Sequence, residues 1–167
     1  MKWIAISGTW QKVNQDVESD VRREVKNIIA KGDGIVIGGA LGVDLFALNE
    51  ALLNNAGLRI KVCLPVRLPR YAEHYRMRAK EGVITLEQAE YLIEQLEKLY
   101  KLNPIAFIEN STNTEINKDT YFERNTKIAE LSDELLAFQV NKSEGTQDTI
   151  DKARGRGKPV KVFEYTM

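Results

Sequence analysis

Short apolar runs alternate with amphipathic stretches along the whole chain. We interpret the runs as strands at residues 2–8, 34–40, 59–65, 105–109, 135–140 and 159–165. The second run, GIVIGGA, has no polar alternation, which is typical of a strand covered on both faces. The spacing of apolar residues predicts helices at about 15–31, 44–54, 119–131 and 146–154. Strands that alternate with helices predict right-handed crossovers and a Rossmann-like, doubly wound α/β fold, with helices on both faces of a mainly parallel sheet of about six strands.

The connection between the third and fourth strands is longer than an ordinary crossover. Residues 69–103 are mostly helical in pattern, with a break near Gly82 and Val83, and LEQAEYLIEQLEKLY has the clearest helical period in the sequence. We therefore predict an inserted helical hairpin at about 67–103. No repeat, low-complexity tract or linker divides the chain, so we expect residues 1–167 to form a single domain.

The composition gives the chain no net charge. Lysine plus arginine number 24 and aspartate plus glutamate number 24, so nucleic-acid binding would need a local basic patch. The only cysteine, Cys63, has no intramolecular disulfide partner, as is usual in a reducing compartment. No run approaches the roughly 20 apolar residues that span a bilayer. We expect a cytoplasmic protein with no membrane partner.

Several familiar kinds of site are not supported. His74 is the only histidine and has no second histidine or cysteine nearby, so neither a metal site nor a Ser-His-Asp triad is expected. The sequence has no G-x-x-x-x-G-K-[ST] loop, and we expect no cofactor. A basic cluster is interpreted as a solvated face, or alternatively as a lid over a phosphate. Its members are Arg67, Arg70, Arg76, Arg78 and Lys80.

Residues suited to phosphate binding follow three of the strands. In parallel sheets, ligands bind beyond the carboxyl ends of the strands, where glycines permit close approach and helix N-termini attract anions. Gly38 and Gly39 could instead serve tight strand–helix packing. Two glycine-containing turns at one sheet edge nevertheless favour a shared anion site. Its expected residues are Ser7, Gly8, Thr9, Gly38, Gly39, Ala40, Gly42, Asp44, Ser143, Gly145 and Thr146.

Two charged residues have alternative interpretations. Asp44 could complement the dipole of its helix, or it could bind a ribose hydroxyl or fix the glycine turn. Arg124 alternates with apolar positions on its helix, and this pattern alone favours a surface position.

Three stretches resemble a known family. The segments GGALGVDLFALNEAL (38–52), FERNTKIAELS (122–132) and SEGTQDTIDKARGRGKPVKVF (143–163) are similar to the Rossmann-like domain of the DNA-processing protein A family. That family belongs to the SLOG superfamily, with the cytokinin-activating lysine decarboxylase-like proteins. The resemblance implies that Arg124 points into the ligand crevice, with Asn125 and Thr149 nearby. A homodimer is also expected from the resemblance.

The chain departs from both branches of this superfamily. Leu41 and Leu48 stand where the DNA-processing proteins usually carry a basic residue and a histidine, so the sequence argues against a nucleic-acid partner. The cytokinin-activating branch has a motif that ends in a glutamate. Gly145 and Thr146 of this chain match that motif, but Thr149 stands at the position of the glutamate. A threonine cannot replace that carboxylate in N-glycosidic hydrolysis.

Three hypotheses follow for the function. The first is binding of a nucleotide or nucleotide-derived phosphate ligand at the C-terminal edge of the sheet, with a sensor as one form of this hypothesis. Arg124 would add a charge-assisted bond, and Asp44 or Asn125 would contact the sugar or order the turns. The alternative is an N-glycosidic hydrolase or transferase acting on nucleoside monophosphates, whose candidate catalytic residues are Arg124, Glu123 and Glu144. Single-stranded DNA binding ranks third.

Overall fold

Six parallel strands form one sheet in a computed structural model that describes residues 1–167. The strand order is β4-β3-β2-β1-β5-β6. The strands are β1 (Trp3–Gly8), β2 (Gly34–Ile37), β3 (Ile60–Leu64), β4 (Phe107–Glu109), β5 (Glu134–Val140) and β6 (Val160–Tyr165). The predicted doubly wound α/β fold is confirmed. β2 ends three residues earlier than predicted, because the backbone turns at Gly39, which has a φ of 73°.

The helices cover both faces of this sheet. They are α1 (Gln15–Ala30), α2 (Val43–Leu53), α3 (Leu68–Lys80), α4 (Leu86–Leu102), α5 (Lys118–Leu131) and α6 (Glu144–Gly155). The chain steps outward from β1 to β4, so right-handed crossovers place α1 to α4 on one face. It then returns to pair β5 with β1, and α5 and α6 cover the other face. Val21 and Leu48 belong to the first core, whereas Ile128 and Ile150 belong to the second.

The predicted helical hairpin between β3 and β4 is formed by α3 and α4. Thr85 caps α4 through its hydroxyl, which accepts from the N–H of Gln88 at 3.0 Å, while the Gln88 side chain accepts from the N–H of Thr85 at 2.9 Å. Leu92 and Leu96 of α4 are buried in the same core as α2. The hairpin is therefore fixed to the sheet rather than projecting from it.

No helix of the structure has the length and apolar character needed to cross a bilayer. The reversal of strand order lies between the parallel neighbours β1 and β5, because the chain continues from β1 to β2 on one side and from β5 to β6 on the other. The carboxyl ends of these two strands define the crevice where a doubly wound sheet binds ligands.

Candidate functional site

A cavity of about 650 Å³ lies in this crevice. Its volume falls within the ordinary range of small-molecule sites. Loops after β1, β2 and β5 contribute to it, together with the first turns of α5 and α6 and one side of α3. The cavity thus has a floor of strand ends and a wall supplied by the inserted hairpin.

Most of the residues expected at the site line this cavity. They are Ser7, Gly8, Thr9, Ala40, Asp44, Arg124, Asn125, Ser143, Glu144, Gly145 and Thr146. The expected residues that do not line it are Gly38, Gly39, Gly42, Thr149 and Glu123. Parts of the turn after β2, the turn after β5 and the Arg124 side chain therefore meet at one cavity.

The three glycines of the turn after β2 serve close packing. The guanidinium of Arg124 packs directly on Gly38. A Cβ on Gly39 would lie 2.7 Å from Leu64 Cδ2, and one on Gly42 would collide with the carbonyl of Thr9. Gly39 and Gly42 both have a φ of 73°, a region that disfavours other residues. These contacts correspond to the packing interpretation of the glycine turn.

The N-terminus of α6 opens into the cavity without a cap. Ser143 makes no capping hydrogen bond to the helix and instead donates from its hydroxyl to Thr146 Oγ1 at 3.0 Å. The first helical hydrogen bond runs from the N–H of Gln147 to the carbonyl of Ser143. The preceding N–H groups of Glu144, Gly145 and Thr146 have no acceptor in the protein, so they remain available to an anion.

Arg124 is held against the glycine turn and keeps one nitrogen free. Its Nη1 donates to the carbonyl of Gly38 at 2.6 Å, and its Nε donates to Asn125 Oδ1 at 3.0 Å. Its Nη2 makes no hydrogen bond to the protein. Burial acts against the positive charge, but the carboxylate of Asp44 and neighbouring tyrosines outweigh it, so the pKa of Arg124 is raised. The guanidinium is both a structural group and a charged donor at the cavity.

Asp44 is almost fully buried beneath the glycine turn. Its Oδ2 accepts from the N–H of Ala40 at 3.1 Å. Burial raises the pKa of Asp44, and Arg124 together with the N–H groups of Ala40 and Gly38 offsets only part of this effect. Asp44 therefore orders the glycine turn through its hydrogen bond to Ala40, and its carboxylate also interacts electrostatically with the guanidinium of Arg124.

Asn125 ties α5 to the N-terminal part of α6 behind the cavity, whereas Thr149 makes a hydrogen bond within α6. The Asn125 amide donates to Asp148 Oδ2 at 3.1 Å and to the carbonyl of Gly145 at 3.4 Å. Thr149 is buried and donates to the same carbonyl at 3.3 Å. The Asn125 side chain therefore fixes the position of the α6 N-terminus relative to α5.

The candidate catalytic carboxylates are both engaged elsewhere. Glu144 is exposed and forms an ion pair with Lys118 at 2.5 Å, across the mouth of the cavity. Glu123 accepts from Asn113 Nδ2 at 2.9 Å and lines a smaller neighbouring cavity of about 220 Å³, which Arg124 also borders.

Other residues of the cavity were missed at the sequence level. They are Trp10, Gln11, His74, Tyr75, Val83, Ile84, Ile116, Asn117, Lys118, Tyr121, Phe122 and Ile128. Trp10 directly follows Ser7-Gly8-Thr9, so its position after a strand was a usable signal. His74 and Tyr75 of α3 carried no such signal, whereas Arg78, which also lines the cavity, belongs to the basic cluster whose alternative interpretation was a lid over a phosphate. Burial, with Arg78 and Arg70, lowers the pKa of His74 below its ordinary value and favours a neutral ring.

The fold and the cavity define a doubly wound α/β protein with a ligand site at the reversal of strand order. Comparison of the sequence with family models gives a match to DNA recombination-mediator protein A over residues 1–167. The chain belongs to that family, as the resemblance implied. No curated protein matches the sequence.

Solved structures share the fold. DNA processing protein A from Helicobacter pylori is 21% identical with a TM-score of 0.67, and its structure was described for its mode of single-stranded DNA binding. The protein of the same name from Streptococcus pneumoniae is 18% identical with a TM-score of 0.63. The comparisons cover 96% of this chain but only 64% and 50% of those two proteins. The molybdenum cofactor carrier protein from Chlamydomonas reinhardtii is 17% identical with a TM-score of 0.54, over 100% of this chain and 79% of that protein.

The expectation against a nucleic-acid partner is wrong. It is overturned by membership of the DNA recombination-mediator family and by the single-stranded DNA binding described for the H. pylori protein. It relied on net charge and on Leu41 and Leu48, both of which are buried in the core. Net charge describes the whole chain, whereas phosphate contacts depend on local donors. The expected homodimer and cytoplasmic location stay predictions.

Proposed function

We propose that this protein binds single-stranded DNA and that one nucleotide unit of the strand enters the cavity. Family membership and the H. pylori relative support a DNA partner. The observation that carries the proposal is the uncapped N-terminus of α6, which opens into a cavity that aromatic side chains also line. Free amide donors and exposed rings together suit a nucleotide better than either does alone.

The phosphate group would lie at the first turn of α6. Gly145 and Thr146 offer free N–H groups there, and the dipole of the helix favours a negative charge. The Nη2 of Arg124 could add a charge-assisted hydrogen bond from the opposite side. Lys118 is positioned at the cavity mouth to meet a phosphate as it approaches.

The base would stack on the aromatic side chains of the cavity. Trp10 is 38% exposed at the cavity, and the ring of Phe122 is only partly buried. The Nζ atoms of Lys118 and Lys152 lie 5.4 and 5.2 Å from the centre of the Phe122 ring. Aromatic surface flanked by ammonium groups is typical of sites that bind single strands without reading their sequence.

A negative charge at the first turn of α6 tests the phosphate position. We expect Gly145→Asp to weaken binding of a labelled oligothymidylate by about tenfold or more, since a carboxylate would occupy the anion site. A Cβ on Gly145 meets no atom within 4 Å, so the fold has room for the substitution. Fluorescence anisotropy titrations at several salt concentrations would measure the affinity and its salt slope.

Gly155→Asp is the matched control, because it adds the same charge at the other end of the same helix. A Cβ at Gly155 also meets no atom within 4 Å. Its oligothymidylate affinity should stay within about twofold of the wild type, apart from the small effect of a distant surface charge. Equal losses of oligothymidylate affinity in the two variants would mean that only the net charge of the protein matters. The phosphate would then not bind at the N-terminus of α6.

Trp10→Ala tests the stacking surface. Loss of one stacked base should weaken oligothymidylate binding by about 1–3 kcal/mol and leave the salt slope unchanged. Tyr100→Ala serves as the control, because Tyr100 is 42% exposed on α4 and does not line the cavity. An unchanged affinity for Trp10→Ala would exclude this ring as a stacking partner.

Binding of a free nucleotide is the second candidate. It is favoured by the wall that Tyr75, Arg78 and Ile84 of the inserted hairpin give to the cavity, since a concave site walled on this side suits a single small ligand. A nucleotide at 100 times its Kd would stabilise the protein by about 2.7 kcal/mol. Thermal unfolding with mononucleotides, beside competition against oligothymidylate, separates the two candidates.

A further inference from the structure

Each cation that lines the cavity has a carboxylate close to it. Lys118 pairs with Glu144 at 2.5 Å, and Arg78 pairs with Glu81 at 2.9 Å. Arg124 and Asp44 pack against the same glycine, Gly38, and Asp44 raises the pKa of the guanidinium. The cavity therefore presents many donors but little surplus positive charge.

The Lys118–Glu144 pair differs from the other two in position. It joins the first turn of α5 to the first turn of α6, whereas Arg78 and Glu81 lie one helical turn apart in sequence. Both side chains are well exposed, at 62% and 72%, so either can turn to a new partner without unfolding the protein. The pair can open when an anion arrives.

Glu144 lies beside the free amide groups that would bind a phosphate. It is the first residue of α6, immediately before Gly145 and Thr146. An anion at these amides must share the positive end of the helix with the Glu144 carboxylate and must draw Lys118 away from it. A second negative charge on the ligand would be repelled by that carboxylate.

We propose that the Lys118–Glu144 pair limits the charge of the phosphate that the cavity accepts. The pair favours the singly charged phosphodiester within a DNA strand over the doubly charged phosphate of a free mononucleotide. This inference rests on the proposed function, and it makes Glu144 a specificity determinant rather than a contact that adds affinity. Lys118 is the shared partner, which pairs with Glu144 in the empty site and with the phosphodiester in the occupied one.

Two size-matched probes isolate the charge of the ligand. Thymidine 5′-monophosphate carries nearly two charges at pH 7.5, because its second pKa is about 6, whereas its methyl ester carries one. Competition against labelled oligothymidylate gives the affinity of each probe. In the wild type the ester should bind more tightly by about two- to fivefold, the range expected for one exposed charge interaction.

Glu144→Gln should abolish this preference. We expect it to tighten monophosphate binding by about two- to fivefold, as much as the wild-type preference, and to leave ester binding nearly unchanged. Lys118→Gln should act in the opposite sense and penalise the monophosphate more than the ester. Glu130→Gln is the control, because Glu130 is an exposed partner of Lys127 outside the cavity.

These measurements can fail for the charge selection and for the proposed DNA binding separately. If oligothymidylate binds but Glu144→Gln changes both probes equally, or weakens both, the charge selection is overturned and the DNA-binding proposal stands. If neither oligothymidylate nor either probe binds the wild type and the Glu144→Gln variant, both proposals fail. An altered probe preference in the Glu130→Gln control would also overturn a role specific to Glu144.

Discussion

Gly42→Ala should lower the free energy of unfolding by about 4 kcal/mol. Gly42 has a φ of 73° and a ψ of −126°, a backbone conformation that residues with a Cβ rarely adopt. An added Cβ would also collide with the carbonyl of Thr9 and lie 2.8 Å from Trp10 Cα. These neighbours are backbone atoms, so no side-chain rotation can relieve the contact. Urea unfolding would measure the loss.

Gly32→Ala separates the collision from the backbone strain. Gly32 has a φ of 86°, but a Cβ there meets no atom within 4 Å. Its substitution should cost only about 1 kcal/mol, from the unfavourable conformation. If the two variants lose equal stability, the close approach of Gly42 to the loop after β1 has no energetic importance.

Arg124→Met should destabilise the protein by about 3 kcal/mol at pH 7. The methionine keeps an apolar stem beside Tyr121, whose ring centre lies 5.1 Å from the guanidinium carbon. It removes the hydrogen bond to Gly38 and leaves Asp44 buried without a counter-charge. An uncompensated buried carboxylate is the main cost. Thermal and urea unfolding at two pH values would measure it.

The cost of Arg124→Met should fall in acid. Burial already raises the pKa of Asp44 in the native protein, and removal of the guanidinium raises it further. The native pKa of Asp44 therefore lies above its value of about 4 in the unfolded chain. The resulting contribution of Asp44 to stability is fully present below pH 4 and is lost as the pH rises through the native pKa. The variant should therefore lie closest to the wild type near pH 4.

Asp44→Asn in the same chain should rescue Arg124→Met at pH 7. The carboxamide oxygen can still accept from the N–H of Ala40, but it carries no charge that needs compensation. A double variant no more stable than Arg124→Met would show that the lost hydrogen bond to Gly38, rather than the buried charge, sets the cost.

The fold could be predicted because the sheet is buried on both faces. GIVI is continuously apolar for that reason, Lys61 is the only charged residue in IKVCL, and the intervening helices have clear periodicity. The end of β2 was placed too late because Gly38, Gly39 and Ala40 extend the apolar run without forming a strand. Side-chain type alone does not locate a turn that depends on positive φ.

The site could be predicted only in part. A glycine after a strand is needed equally for ligand approach and for packing, and the sequence does not say which neighbour occupies the space. Gly39 meets Leu64 and Gly42 meets the backbone of Thr9, partners distant in sequence. The wall formed by Tyr75 and Arg78 depends on how the hairpin docks, which helical periodicity does not specify. The pairing of Lys118 with Glu144 likewise depends on the placement of two helices.

The position of β1 has a consequence for folding. β1 lies between β2 and β5, and Ala5 pairs with both Val36 and Leu135. The second pairing joins residues that are far apart in the sequence, so it carries a large loop-closure entropy and forms slowly relative to local contacts. During synthesis, the glycine turn and the hairpin emerge well before β5 and α6. The cavity is therefore completed only when β5 and α6 join a sheet whose central strand, β1, was synthesised much earlier.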